Sequence, residues 1–341
     1  MIQSQIEQLK ESFKTTLAEC LDGATQVALL DFPLHRNCGD SLIYLGELAA
    51  LKEMGVKILA VSEASSFRAK DYLSLPTDTV MLFHGGGNFG VLWDLPHLRR
   101  NEELAQLSGF KAILLPQTMT EMDDACQHRT RTILAGHPDV TLMWRDRASF
   151  EASRRIFPEI PSLLIPDAAF CLHPYSAPKV TLRPRDDIKV LARLDRESSG
   201  LADHAKGIGA RVHDWTPLWI EKAIRKFLTM AIRAEARLSG PPRMRTRMIL
   251  YRLFAQNNAA SAARQLSSAR VIVVDRLHAW LLGLLLDIPH LVVETRFGKI
   301  RRVMASWLPE ELSTLTEDMG DLIPRAHQLL LQESNPSSES P

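Results

Sequence analysis

Three side chains in the C-terminal third of the chain have the types and spacing to hold a small, highly charged anion. Residues 271–308 read VIVVDRLHAWLLGLLLDIPHLVVETRFGKIRRVMASWL. An apolar run ends at Asp275–Arg276, and His278 follows in the first turn of a very apolar helical stretch. Gly298–Lys299 then follows the next apolar run. A helix N-terminus offers unpaired N–H groups and the positive end of the helix dipole, so it suits an anionic ligand better than a cationic histidine. The guanidinium fork of Arg276 matches a carboxylate or phosphate. A histidine beside them can move a proton near neutral pH. Scattered basic surface is the plain alternative, but two successive strand ends supplying Arg, His and Lys favour a site.

Three further motifs sit where apolar runs end. Residues 32–43, FPLHRNCGDSLI, lead from a strand into a helix. Asn37 and Gly39 suit the turn, and Asp40 or Ser41 suits the N-cap. Asp40 can instead accept a hydroxyl proton as a general base; the local sequence favours capping. Residues 83–94, FHGGGNFGVLWD, place Gly85, Gly86 and Gly87 in a row, with His84, Asn88 and Asp94 as polar neighbours that can bind hydroxyls. A turn needing positive φ explains one or two of these glycines, hardly three. Gly85, Gly87 and Gly90 also fit GxGxxG, but after the third strand and with no acid where a dinucleotide ribose would need one. In WRDRAS, Arg145 at a strand end would project towards a carboxylate or phosphate; an Arg–Asp surface pair explains it equally well.

These residues need a scaffold that brings strand ends together. Gln26–Phe32 and residues 56–61, 79–83, 111–115 and 140–144 read as buried strands separated by helical patterns such as residues 39–54. Residues 188–191, 271–274 and 290–293 continue the alternation, with helices over about 217–238 and 277–286. Repeated strand–helix alternation predicts α/β architecture with parallel sheets. Six prolines within residues 158–186 suggest a linker. The expected organisation is two Rossmann-like domains facing across a cleft, 1–180 and 181–332, with a polar disordered tail at 333–341. In such sheets ligands sit at the C-terminal strand ends.

Composition narrows the function classes. The 341 residues carry 41 Lys and Arg against 40 Asp and Glu, so no bulk positive charge points to nucleic acid. The four cysteines form no CxxC pair, which argues against a structural zinc site and a disulfide framework, and no metal is expected. The N-terminal segment reads as an amphipathic helix, and no apolar run approaches the ~20 residues of a membrane span. A cytoplasmic protein, at most peripheral at the inner membrane face, is expected. Residues 222–252 hold nine Lys or Arg and one acid, interleaved with apolar residues. That stretch is a solvated helix face or a surface for anionic lipid.

Together the motifs resemble the polysaccharide pyruvyl transferase family. The resemblance rests on FPLHRNCGDSLI, HGGGNFGVLWD, WRDRAS and DRLHAWLLGLLLDIPHLVV followed by GK and Trp307, and spans about residues 28–310. It implies a GT-B-type glycosyltransferase-like fold and transfer of a pyruvyl group from phosphoenolpyruvate to a sugar of a polysaccharide repeat unit. The products would be a ketal and phosphate. It implies donor binding by Arg145, Arg276 and Lys299, with His278 as general acid and Asp40 as candidate base. Asn37, His84, Gly85, Gly86, Gly87, Asn88 and Asp94 would face a glycan acceptor, often lipid-linked. Phosphoenolpyruvate is a co-substrate, so no cofactor is expected. One departure is Asp275, where the family often has Ser. A metal-independent nucleotide-sugar glycosyltransferase and a non-catalytic glycan- or partner-binding relative remain the alternatives.

Overall fold

A computed structural model describes residues 2–90, 96–175, 186–195, 198–208, 210–237, 244–312, 314–316 and 318–334. The chain forms two compact units: a larger one of residues 6–172 and 224–256, and a smaller one of residues 1–5, 173–223 and 257–341. The segment 224–256, which lies within the second span of the sequence-based division, therefore packs with the larger unit. The tail beyond residue 334 lies outside the described residues.

The larger unit is built on a parallel sheet. Its strands are β1 (Gln26–Phe32), β2 (Lys57–Glu63), β3 (Val80–Phe83), β4 (Gly86–Phe89), β5 (Ala112–Met119), β6 (Val140–Trp144) and β7 (Ser162–Leu164). The order is β2-β1-β3-β5-β6-β7, with β4 also paired to β5. Helices α1 (Ile2–Leu21), α2 (Cys38–Glu53), α3 (Pro96–Leu104), α4 (Asp124–Ala135) and α5 (Arg147–Ile156) alternate with the strands. Strands β1, β3 and β6 are buried almost throughout, as sheets covered on both faces require.

Three details differ from the sequence reading. Strand β5 continues past residue 115 through Pro116, and its ladder with β6 shifts register between Leu114 and Gln117. A proline lacks the ladder N–H and is tolerated at such an irregularity. Next, the glycine motif is not a simple loop: β4 resumes the pairing with β5 that β3 began, with Gly86 opposite Gln117 and Phe89 opposite Met119. A dinucleotide fingerprint needs a strand–turn–helix at these glycines, and they form a strand instead. Last, the start of the proline-rich stretch is no linker. Strand β7 pairs with β6, and the helical turn Ala168–Leu172 packs on α2.

The smaller unit holds a second parallel sheet of β8 (Asp186–Leu191), β9 (Val212–His213), β10 (Ala269–Val274), β11 (His290–Val293) and β12 (Leu315–Thr316), ordered β12-β11-β10-β8-β9. Its helices are α6 (Leu201–Gly207), α9 (Leu277–Leu285), α10 (Lys299–Trp307) and α11 (Leu322–Ser334). Helices α7 (Trp219–Arg237) and α8 (Met244–Leu266) each contribute to both units. In the larger unit, Tyr251 of α8 stacks on Phe32 at 4.4 Å between ring centroids, and Phe254 meets Phe32 edge-on at 5.8 Å. Leu228 and Ile232 of α7 join the same buried cluster. Each such side chain contributes about 1.5–3 kcal/mol of burial, which fixes residues 224–256 to the first sheet.

Gly46 sets the distance between α2 and the turn at 168–172. A Cβ there would stand 1.9 Å from the carbonyl oxygen of Ala168, a backbone atom that cannot swing aside. Gly46→Ala should therefore destabilise the larger unit by roughly 1–3 kcal/mol, the usual penalty of overpacking. A urea unfolding midpoint equal to that of the wild type would contradict this packing.

Candidate functional site

In the larger unit the polar groups gather where β1 and β3 end and α2 begins. Asn37 caps α2 by accepting from Gly39 N at 3.1 Å. The cap is thus Asn37, not Asp40 or Ser41, and Asp40 sits in the first turn of the helix. Its Oδ2 accepts from Asn37 Nδ2 at 2.8 Å and lies 3.2 Å from His35 Nε2. A Cβ on Gly86 would come within 3.3 Å of Asp40 Oδ1, so the acid lies against the glycine motif.

Two turns along α2, Glu47 is fully buried and pairs with His84 through Oε2 and Nδ1 at 2.8 Å. Its other oxygen, Oε1, accepts from Gly85 N at 2.9 Å. Gln117 Nε2 donates to the His84 carbonyl at 2.7 Å. One carboxylate therefore holds the break between β3 and β4 in place. A Cβ on Gly85 would meet the Pro116 carbonyl oxygen at 2.7 Å, which explains glycine at this close approach.

Three buried polar atoms of this cluster have no partner: His84 Nε2, Tyr44 Oη and Gln117 Oε1. All three atoms surround the break between β3 and β4, and each has the chemistry to hydrogen-bond a polar group placed there. Burial opposes charge on the His84 ring, but the Glu47 carboxylate, with Asp40 and Asp31 behind it, outweighs burial and raises its pKa above 6.5. With Nδ1 turned to Glu47, Nε2 can exchange a proton with a hydroxyl. Asp31 closes β1 with a left-handed φ of 72°, its N–H bonded to Ser62 Oγ at 3.0 Å. Burial pushes the Asp31 carboxyl up, opposed by Arg100, whose guanidinium nitrogen lies 3.8 Å away. Strained backbone of this kind clusters at functional sites. Gly87 and Asn88 lie on β4 and are half-buried; Asp94 falls outside the described residues.

Arg145 does not stand open at its strand end. It is buried, with Nε donating to Thr118 Oγ1 at 2.8 Å and Nη1 on Asp167 Oδ2 at 2.7 Å. The neighbouring Asp146 caps α5, accepting from Ser149 N and Ser149 Oγ at 2.8 Å each. The expected Arg–Asp pair is thus present, but it is buried and made with Asp167 from the proline-rich stretch.

In the smaller unit, β10 and β11 are neighbours, with Val274 opposite Val292. The segments bearing Arg276, His278 and Lys299 consequently leave adjacent strand ends. Arg276 is the N-cap residue of α9, which has no side-chain cap, and its Nη2 donates to Asp214 Oδ1 at 2.7 Å while Nε is buried without a partner. His278 is half-buried in the first turn of α9, and Lys299 is buried as the first residue of α10. Asp275 is buried, and its oxygens accept from Arg193 N and Ser199 Oγ at 2.7 Å each. Burial pushes its carboxyl up, against those two bonds. The start of α10 is already occupied by Glu294, which accepts from Ile300 N at 3.2 Å and Arg301 N at 2.6 Å. That leaves the start of α9 as the better place for an anion. Among the described residues no group of His, Cys, Asp and Glu is arranged to hold a metal ion.

Residues 37–296 match the family described as polysaccharide pyruvyl transferase, a span that opens at the α2 cap and takes in the glycine motif, Arg276 and His278. The chain belongs to the polysaccharide pyruvyl transferase family. Family membership makes it a transferase of the pyruvyl class in polysaccharide biosynthesis. Pyruvyl transferase 1 of Schizosaccharomyces pombe is 29% identical over 328 residues, covering 91% of this chain and 76% of that protein. EpsO of Bacillus subtilis is 24% identical over 308 residues, covering 89% of this chain and 92% of that protein. A crystal structure of a functionally uncharacterized Klebsiella pneumoniae protein shares the fold, with a TM-score of 0.58 at 17% identity over 90% of this chain and 97% of that one. Lys299 lies just beyond the family match.

Sequence reasoning missed Glu47, Tyr44, Gln117 and Asp31. A signal existed for two of them: Asp40, Tyr44 and Glu47 recur at i, i+4 and i+7, a polar stripe along the part of α2 up to Leu51, where the other residues, Ser41 aside, are apolar or glycine. Because the folded-state pKa of His84 is raised, the protonated pair stabilises the fold fully below pH 6.5. That contribution is lost as pH rises through the raised value. NMR titration of the His84 ring should give a midpoint above 6.5 that falls in Glu47→Gln. The stability gap between the two proteins should narrow as pH rises. A wild-type midpoint below the ordinary value would show that burial wins instead.

Proposed function

We propose that the chain transfers the pyruvyl group of phosphoenolpyruvate to two hydroxyls of one sugar in a polysaccharide repeat unit. The observation that carries this reading is the placing of Arg276, His278 and Lys299 on segments leaving adjacent parallel strand ends, within a chain of the pyruvyl transferase family. Phosphoenolpyruvate brings a carboxylate and a phosphate together, and a guanidinium, an ammonium and the open N-terminus of α9 answer that charge.

In this mechanism His278 delivers a proton to the methylene carbon of the enol. The central carbon becomes electrophilic and takes the first sugar hydroxyl. Its C–O bond to phosphate then breaks, with Lys299 beside the departing charge. The second hydroxyl closes the ketal, and of the two hydroxyl protons one replaces that spent on the methylene while the other leaves with phosphate. Within the larger unit, the His84–Glu47 pair, whose Nε2 is buried and unsatisfied, is the candidate to take a hydrogen bond or proton from an acceptor hydroxyl. Asp40 stands beside the same glycines as the second candidate and, with Asn37 and Gly86, would hold the sugar. Arg145 is a positioning residue in this scheme, locking β5 and β6 to the turn at Asp167. We place the reaction in the cytoplasm, where the four free cysteines would stay reduced.

Calorimetric titration of phosphoenolpyruvate tests the donor assignment without an acceptor. Arg276→Ala should weaken binding by at least about tenfold, the scale of a lost charge-assisted contact. His278→Ala should keep binding but lose turnover by about 100-fold or more. A folded wild type that binds neither phosphoenolpyruvate alone nor phosphoenolpyruvate with oligosaccharide, yet consumes a nucleotide sugar, would overturn the reading.

A further inference from the structure

Helices α7 and α8 expose an apolar face that none of the described residues covers. On α7 the buried side is Leu228, Ile232 and Glu235. On the outer side Ile220, Ile224, Phe227 and Met230 follow one another at helical spacing, and all are exposed. Phe227 keeps 68% and Met230 62% of its surface in solvent, too much for residues that merely edge a core. Trp219, in the first turn of the same helix, is 77% exposed. Helix α8 adds Ile249 and Leu253, also exposed. A helix with a core face needs no second apolar stripe for folding, and soluble proteins seldom display such patches without use.

The exposed charges on the described residues of these two helices are of one sign. Lys222, Lys226, Arg233 and Arg237 on α7, with Arg245 and Arg252 on α8, are exposed. The acids between residues 219 and 256 are Glu221 and Glu235. Glu221 is taken by Arg264 at 2.8 Å, and Glu235 by Arg247. A second copy laid on this face would bring rows of like charge together. An anionic surface would not, and an apolar ridge flanked by Lys and Arg with an interfacial Trp is how a helix lies in a lipid headgroup layer.

We propose that the outer faces of α7 and α8 dock the enzyme on an anionic bilayer, with Phe227 and Met230 inserted and Lys226 and Arg233 on the headgroups. This rests on the surface alone and holds whatever the donor proves to be. Sedimentation with vesicles of phosphatidylcholine, with and without phosphatidylglycerol, tests it on the full chain without substrates. The wild type should partition to the anionic vesicles, weaken with salt, and bind pure phosphatidylcholine at least about tenfold less. Phe227→Ser with Met230→Ser, and separately Lys226→Gln with Arg233→Gln, should each lower partitioning by about tenfold or more while melting like the wild type. Because the two pairs act through different forces, one that misfolds leaves the other to decide. Absence of binding to anionic vesicles, or binding that neither pair weakens, overturns the proposal. So does a dimer in light scattering that the Phe227 and Met230 changes dissolve without any vesicle binding, which would assign the face to a second copy.

Discussion

The buried carboxylate of Glu47 is the constraint on which the larger unit depends. A lone ionised acid inside a protein is costly, so both of its oxygens must be answered, and the chain answers them with the His84 ring and the Gly85 N–H. Those partners exist only because β3 stops at Phe83 and β4 resumes at Gly86 on the same neighbour, β5. The break exposes main-chain groups that a regular strand would hide. It also turns one histidine nitrogen to the acid and leaves the other unsatisfied. The helix carrying Glu47 is in turn seated by Gly46 against Ala168. A change at that seat moves the acid, the histidine and the glycines together.

The smaller unit arranges its charges by a different rule. Each basic group proposed for the donor has an acid on a nearby segment, but the acids are turned to structural work. Asp275 ties the backbone of Arg193 and the hydroxyl of Ser199 to the end of β10. Glu294 caps α10, and Asp214 holds one arm of Arg276. Each of these acids thus has a bonded partner in the fold: Asp275 and Glu294 on main-chain N–H groups, and Asp214 on the Arg276 guanidinium.

The helical pair α7 and α8 carries apolar side chains on two sides. Its inner sides complete the core through Leu228, Ile232, Tyr251 and Phe254. Its outer sides mix exposed apolar residues such as Phe227 and Met230 with exposed Lys and Arg. The sequence shows an apolar and basic mixture there, and only the packed structure tells which apolar residues the core consumes.

Much of this protein was legible in its residues. Strand–helix alternation set the parallel α/β architecture, and β1, β6 and β11 are bounded as their apolar runs suggest, because local burial patterns record which segments lie inside. The motifs with Arg276, His278 and the glycines announced the family, since they lie at short spacing within the matched span. What stayed hidden depends on distance along the chain. The pairing of Glu47 with His84, of Arg145 with Asp167 and of Asp275 with Ser199 joins residues from separate segments. No local pattern encodes such partners, because a charge chooses whichever opposite group the fold brings within about 3 Å. Tertiary structure alone therefore decided that Arg145 braces the sheet and that Asp275 holds a loop, whereas the Asn37 cap on Gly39 is a contact two residues long.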